Sequence, residues 1–159
     1  MCKVSIILPS YNAGKYIREC LGSVVKQTLQ DIEIICIDAG SVDGTREAIL
    51  EFASKDARIQ LIDTEKKSCG YQENIGIAMA KGEYIGFVET DDYVREDMFE
   101  ILYNKAKYYN LDFVKANHIQ IINVDKSNRL FMKERTLAAQ KDLYDVVFDP
   151  SIYQEVMWY

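Results

Sequence analysis

Short apolar runs rich in β-branched residues alternate with segments of helical periodicity over the first hundred residues, and this alternation restricts the fold more than any other feature. The runs that predict strands are 4–8, 32–37, 59–62 and 84–88. The segments that predict helices are 15–29, 72–80 and a stretch ending near 54 that Ser41 or Asp43 would cap. Strands that are apolar on both faces need cover on both sides. The sequence therefore predicts an α/β fold of three layers, α/β/α, with a mainly parallel central sheet.

Polar clusters follow three of the four predicted strands. They are Ser10-Tyr11-Asn12 after the first strand, residues 38–45 after the second and residues 89–92 after the fourth. The carboxyl ends of parallel strands share one edge of a sheet, and ligands of open α/β sheets bind at that edge. The sequence therefore predicts that these clusters form one site.

The cluster Glu89-Thr90-Asp91-Asp92 puts three carboxylates at the end of a strand. Such groups repel one another unless a positive charge lies among them. A hard divalent cation bound to a phosphate would supply that charge, because these ions take carboxylate oxygens. The alternative is a solvated acidic turn at the start of a helix beginning near Asp92. The shared position with the other two clusters favours a metal-assisted site.

Length and composition restrict the class of protein. The 159 residues suffice for one domain, 1–159, and the net charge of −6 argues against nucleic acid as a partner, because nucleic-acid binders carry a basic face. No apolar stretch approaches the roughly 20 residues of a spanning helix, and no signal peptide precedes the first strand. We expect a cytoplasmic protein whose cysteines are reduced core or near-core thiols rather than disulfides or zinc ligands: Cys2, Cys20, Cys36 and Cys69.

The pattern beyond residue 93 is weaker. It predicts a helix over 96–109, a strand or strand pair over 112–122, a turn over 123–128 and a helix over 137–148. His118, the only histidine, lies among apolar residues of the predicted strands, which favours a packed histidine over a catalytic one.

Five segments, in order and with the right spacing, resemble the family 2 glycosyltransferases, which are inverting enzymes with the Rossmann-like GT-A nucleotide-binding fold. The segments are VSIILPSYN (4–12), LGSVVKQT (21–28), IDAGSVDGT (37–45), NIGIAMAKGEYI (74–85) and ETDD (89–92). Each segment alone is a weak signal, but the ordered set covers residues 3 to about 100.

The resemblance implies roles for particular residues. Pro9 and Tyr11 would line a pocket for the nucleotide base, and Asp38 would support the base or its loop. Tyr71 and Gln72, at the start of the third helix, would lie where the family contacts the donor sugar, and Glu89 would contact the ribose or a ligand of the metal. The principal substrate-binding residues implied are Pro9, Tyr11, Asp38, Tyr71, Glu89 and Asp91, and the implied ligands of Mn²⁺ or Mg²⁺ are Asp91 and Asp92.

The activity that the resemblance implies is transfer of a sugar, with inversion, from a nucleoside-diphosphate sugar to a glycan or lipid-linked acceptor in polysaccharide biosynthesis. A UDP-sugar is the favoured donor. Inversion needs a general base, which we expect beyond Tyr159, because residues 152–159 resemble the stretch that precedes the base in the family. The apolar residues 156–159 also favour a chain that is truncated on its acceptor side. The full-length protein would then act at the inner face of the membrane as a peripheral protein.

Two departures from the family pattern leave an alternative open. Ala39 stands where the family has a second aspartate that often recognises the base, and Glu89 stands where it has aspartate. Ala39 and the missing base favour a non-catalytic nucleotide-binding or regulatory module of the same fold. A nucleotidyltransferase is disfavoured, because residues 9–14 do not form a glycine-rich basic loop. Lys66 and Lys67 are either a solvated charge run or a pair that steers a diphosphate.

Overall fold

The structure is a computed structural model that describes residues 1–116, 118–124 and 130–135. The chain divides into two compact units, Met1–Asn104 and Lys105–Tyr159. Each unit is described by itself below, and the assignment of residues 1–159 to a single domain stays a prediction.

The first unit contains a four-stranded sheet in the order β3-β2-β1-β4, and all of its pairings are parallel. The strands are β1 (Val4–Ser10), β2 (Ile32–Asp38), β3 (Ile59–Asp63) and β4 (Tyr84–Phe87). The helices that begin in this unit are α1 (Ile17–Val25), α2 (Thr45–Ala53), α3 (Cys69–Met79) and α4 (Met98–Tyr109). The predicted α/β fold with a parallel sheet is confirmed.

The order of the strands locates the predicted site. The chain builds from β1 through β2 to β3 on one side and then returns to place β4 on the other side of β1. Ser10 at the end of β1 pairs with Asp38, and Ile7 pairs with Phe87 of β4. The carboxyl end of β1 is therefore the point where the strand order reverses, which is where open α/β sheets bind ligands.

Apolar residues cover both faces of the sheet. One face packs with α1 and α2 in a core that includes Ile6, Leu8, Ile34, Leu21 and Ile49, all fully buried. The other face packs Ile7, Ile35 and Ile37 against Ile75 and Met79 of α3. Strands with apolar residues on both faces thus lie between helices, as the runs without polar alternation predicted.

The bounds of all four helices differ from the sequence prediction, and α1 covers Ile17–Val25 rather than 15–29. The third helix begins at Cys69 rather than Gln72, and α2 begins at Thr45, with Gly44 as its N-cap in the left-handed region at a φ of 90°. The helix after the acidic cluster begins at Met98, so the cluster does not open a helix near Asp92. Asp92 instead donates its backbone N–H to the carbonyl of Glu89 in a turn.

The second unit contains an antiparallel pair of strands, β5 (His118–Val124) and β6 (Leu130–Arg135), with an irregularity between Ile121 and Asn123. The predicted strand pair is present but starts later than residue 112 and runs into the predicted turn. Most of that turn and the predicted helix over 137–148 lie outside the described residues. Within the part of the chain that the structure describes, no helix is both long and apolar enough to cross a membrane.

Candidate functional site

An open cleft of about 380 Å³ lies where β1 and β4 end and α3 begins. Four of the six principal substrate-binding residues implied by the sequence line it, namely Pro9, Tyr11, Glu89 and Asp91. The other lining residues are Asn12, Ala13, Tyr16, Lys67, Cys69, Gln72 and Thr90. The cleft therefore combines aromatic rings, carboxylates and one lysine within a space of the size that small ligands occupy.

The loop after β1 carries Tyr11 and is held by the loop after β2. Asn12 has a φ of 50°, and its backbone N–H donates to Oγ of Ser41 over 2.9 Å. The Asn12 side chain in turn accepts the N–H of Val42 over 3.1 Å. Ser41 donates its hydroxyl and its backbone N–H to the two carboxylate oxygens of Asp38, which is fully buried. The Asp38 carboxylate thus supports the loop on which Tyr11 stands.

The acidic cluster after β4 is tied to β1 and α1. Thr90 is buried and donates its hydroxyl to the carbonyl of Pro9 over 3.3 Å. The buried thiol of Cys20 donates to the carbonyl of Glu89 over 3.5 Å. Because Glu89 and Asp91 flank the anchored Thr90, both carboxylates stay at the cleft while remaining exposed. Asp92 follows them, also exposed.

Burial and like charge both act on these groups. Partial burial, followed by the charges of Glu73, Asp91 and Asp92, raises the pKa of Glu89 above its usual value. Burial, followed by the same acidic cluster, raises the pKa of the Cys20 thiol to about 12. Burial is the larger cause of both shifts, and the remainder comes from the negative charge gathered at this edge of the sheet, which a bound cation would relieve.

The donor set at the cleft fits a divalent cation. Ligand atoms of Cys69, Glu73 and Glu89 lie within 4.8 Å of one another. Burial and the two neighbouring carboxylates raise the pKa of Cys69 to about 11, so its thiol stays protonated at neutral pH and lies 3.6 Å from Glu73 and 3.9 Å from Glu89. The groups free to ligate are then carboxylate oxygens, which suit Mg²⁺ or Mn²⁺.

Two lysines lie over two tyrosines at the rim. The ammonium of Lys67 is 4.6 Å from the ring centroid of Tyr11, and that of Lys66 is 4.2 Å from the ring centroid of Tyr71. Both tyrosine rings are partly exposed, and only Tyr11 belongs to the described cleft lining. Among those lining residues Lys67 carries the positive charge, which supports its interpretation as a diphosphate-steering residue over a solvated charge run.

Sequence reasoning missed two residues of α3 that face this site, Cys69 and Glu73, whereas Gln72 was expected there beside Tyr71. The signal was present, because residues at spacings of three and four share one face of a helix. It required a helix that begins at Cys69, whereas the apolar periodicity starts only at Gln72. Cys69 was expected in or near the core, but it is exposed; Cys20 and Cys36 are buried as predicted, and all four cysteines are free thiols.

A parallel α/β sheet with an acidic, aromatic cleft at its switch point defines a nucleotide-binding type of α/β protein. The family model described as "Glycosyl transferase family 2" matches residues 5–153. This chain belongs to that family.

Curated relatives and solved structures agree with this assignment. Over 129 residues the chain is 41% identical to glycosyltransferase GlyG of Streptococcus pneumoniae, covering 80% of this chain and 42% of GlyG. It is 44% identical over 111 residues to the uncharacterized glycosyltransferase EpsJ of Bacillus subtilis, covering 70% of this chain and 32% of EpsJ. The crystal structure of S. aureus TarS matches with a TM-score of 0.63 and 26% identity, covering 74% of this chain and 20% of TarS. The chain thus spans less than half the length of these relatives.

Proposed function

We propose that this chain is the donor-binding part of an inverting glycosyltransferase. It would bind a nucleoside-diphosphate sugar, with a UDP-sugar as the favoured donor, and serve transfer to a glycan or lipid-linked acceptor in polysaccharide biosynthesis. The observation that carries the proposal is the convergence of Pro9, Tyr11, Glu89 and Asp91 on one cleft at the switch point of the sheet. Aromatic rings and carboxylates that line one cleft suit a ligand with a flat base and a metal-bridged diphosphate.

The family relationship supports the choice of nucleotide. The fragment 1–349 of TarS has also been crystallised with UDP and with UDP-GlcNAc, and these two structures match this chain at 22% and 23% identity. Those complexes describe TarS, and they make UDP the first nucleotide to test on this chain.

Each part of the cleft has a physical task in this proposal. Tyr11 offers a ring face to the base, and Asp38 keeps its loop in place through Ser41. Asp91 and Asp92, with Glu89 beside them, would hold Mn²⁺ or Mg²⁺. When bound, such an ion stabilises the negative charge that develops on the leaving diphosphate. Lys67, beside Tyr11, would add positive charge to the cleft.

Calorimetry with UDP in the presence and absence of Mn²⁺ tests the proposal. We expect UDP to bind more tightly with Mn²⁺, and we expect Asp91→Asn to reduce that metal-dependent affinity by at least about tenfold, because a ligand carboxylate is lost. Asp31→Asn is the matched control, since Asp31 is an exposed carboxylate that pairs with Lys3 over 3.2 Å and precedes β2. The proposal would be contradicted if Mn²⁺ increased the affinity of the chain for neither UDP nor GDP.

A further inference from the structure

Gln72 is a buried polar residue whose side chain has one atom without a hydrogen-bond partner among the residues that the structure describes. It lies on α3, is 3% exposed and lines the cleft. Its Nε2 donates to the carbonyl of Ser10 over 2.8 Å and to the carbonyl of Ile37 over 3.1 Å. An amide nitrogen has two hydrogens, so both are used, and the two carbonyl partners determine which end of the amide is nitrogen.

The remaining polar atom of Gln72, Oε1, is open to the cleft. Among the described residues no donor contacts it, and no buried side-chain oxygen or nitrogen of those residues lacks a partner. Oε1 is therefore accessible, and the surface to which Gln72 contributes is the lining of the cleft. An acceptor held rigidly by two hydrogen bonds at its other end is prepared to receive a donor from a ligand.

Gln27 shows what a purely structural buried glutamine looks like in the same molecule. It is fully buried, its Nε2 donates to the carbonyls of Ser23 and Arg95, and its Oε1 accepts the N–H of Phe99 over 3.0 Å. Every polar atom of Gln27 has a partner inside the protein. This difference between the two glutamines indicates that the accessible Oε1 of Gln72 serves ligand binding rather than the stability of the fold.

The position of Gln72 indicates which part of a nucleotide it meets. Its amide bridges the ends of β1 and β2, and the carbonyl of Ser10 that it contacts also accepts the N–H of Ala39 over 2.9 Å. The acidic cluster follows β4, on the opposite side of β1. The amide of Gln72 is thus anchored at the β1–β2 side of the cleft, and the loop that carries Tyr11 also leaves from the end of β1.

We propose that Gln72 is the specificity-determining residue for the base and that its Oε1 accepts the ring N3–H of uracil. This inference rests on the proposed function and names the chemistry of its donor. The buried methyl group of Ala39 offers no acceptor beside the same carbonyl, which leaves the amide oxygen to read the base edge. Cytosine carries a ring acceptor at the same position and would place two acceptors against each other. A site built around such a hydrogen bond discriminates strongly against analogues that lack the donor.

The sharpest probe is UDP methylated at N3, because the methyl group removes the ring N–H and changes neither ribose nor diphosphate. With Mn²⁺ present, we expect the wild-type chain to bind UDP about tenfold more tightly than N3-methyl-UDP and also more tightly than CDP, as one well-placed hydrogen bond would give. Equal affinities for UDP and N3-methyl-UDP would overturn the inference while leaving the proposed function in place. If neither UDP nor N3-methyl-UDP binds, the proposed function itself fails and the inference with it.

The variant Gln72→Met separates base reading from support of the fold. Methionine keeps the length and burial of the side chain but accepts no hydrogen bond of comparable strength. We expect the ratio of UDP to N3-methyl-UDP affinity to fall to about two or less. If the role of Gln72 were purely structural, the variant would weaken the binding of both nucleotides alike and leave the ratio unchanged, which would also overturn the inference.

Gln27→Met is the control, since it removes equivalent hydrogen bonds away from the cleft and should preserve the ratio. The wild-type comparison stands even if the Gln72 variant does not fold.

Discussion

Glu89 is a residue at which burial and neighbouring charge act in the same direction. Both favour its protonated form, so its pKa in the folded chain lies above the ordinary value of 4.5. A carboxyl group whose pKa is raised by folding contributes stability that is fully present below its ordinary pKa. That contribution is lost as the pH rises through the folded pKa. At neutral pH and without a bound cation, the ionised Glu89 therefore lowers the free energy of unfolding.

Glu89→Gln should for this reason stabilise the metal-free chain at pH 7. The gain should shrink as the pH falls and vanish below about 4.5, where Glu89 is protonated in both the folded and the unfolded chain. Urea unfolding followed between pH 4 and pH 7 measures the difference. A variant that is less stable than the wild type at pH 7 would show that the raised pKa does not govern this site.

Glu51→Gln is the control with the opposite sign. Hydrogen bonds from Lys55 and Arg18 lower the pKa of Glu51 to about 2. Its ionised form is thus favoured by folding, and the variant should be no more stable than the wild type at pH 7. The loss should be small, because exposed ion pairs contribute little.

Single residues of the site were predictable to different extents. Asp91 and Tyr11 were identified from the sequence because each follows the end of a strand. The end of a strand is marked in the sequence by a change from apolar to polar residues. The open acceptor of Gln72 was not, because it depends on which carbonyl groups meet its amide. Lys67 was left between two interpretations for the same reason, since its relation to Tyr11 arises only when two distant loops meet.

At the scale of elements, α3 approaches the sheet closely at Gly76. A Cβ atom at this position would lie 2.6 Å from Cγ2 and 2.9 Å from Cδ1 of Ile7, a side chain that is fully buried in β1. Ile7 has no free space into which to move. The absence of a side chain at Gly76 thus sets the distance of α3 from β1, and with it the depth of Cys69 and Gln72 at the cleft.

Gly76→Ala should therefore weaken both stability and binding. Overpacking costs about 1–3 kcal/mol, against which the better helix propensity of alanine returns about 0.5–1 kcal/mol. The shifted helix should also reduce UDP affinity, which thermal unfolding and calorimetry would measure together. Gly70→Ala is the matched control in the same helix, because a Cβ atom there meets nothing within 4 Å. Equal effects of the two substitutions would contradict the close-packing argument.

The strands were predictable to within a residue or two, whereas the start of α3 was misplaced by three residues, at Gln72 instead of Cys69. Apolar runs end sharply where the chain leaves the sheet, as at Ile59–Asp63 and Tyr84–Phe87. The first turn of α3 is exposed and carries Cys69 and Gly70, so it leaves no apolar periodicity to detect. This one misplaced boundary is why Glu73 was not recognised as part of the acidic face.

For the whole molecule, the net charge of −6 and the acidic cleft act together on a ligand that is itself anionic. The parallel sheet could be predicted because the strands are apolar on both faces. The distances between the charged groups on its loops could not be predicted, because the positions of loops depend on contacts such as that of Asn12 with Ser41. A nucleoside diphosphate approaching Glu89 and Asp91 is repelled unless a cation lies between them.

Binding of Mn²⁺ and of UDP should therefore be positively coupled. Each ligand lowers the electrostatic cost of the other, and the coupling is reciprocal by thermodynamic necessity. At concentrations near 100 times the dissociation constant, bound ligand raises the free energy of unfolding by about 2.7 kcal/mol, which corresponds to roughly 5–10 °C in Tm for a chain of this size. We expect the Tm shift with both ligands to exceed the sum of the two separate shifts.

Uridine is the matched control for this coupling, because it keeps the base and ribose but has no diphosphate to share a cation with the carboxylates. Its effect on Tm should be the same with and without Mn²⁺, apart from the shift that the metal causes alone. Additive shifts for UDP and Mn²⁺ would mean that the two ligands do not meet in the cleft. Coupling with uridine equal to that with UDP would mean that the metal acts on the base pocket instead. Coupling confined to UDP is the outcome that a diphosphate held between Lys67 and the acidic cluster requires.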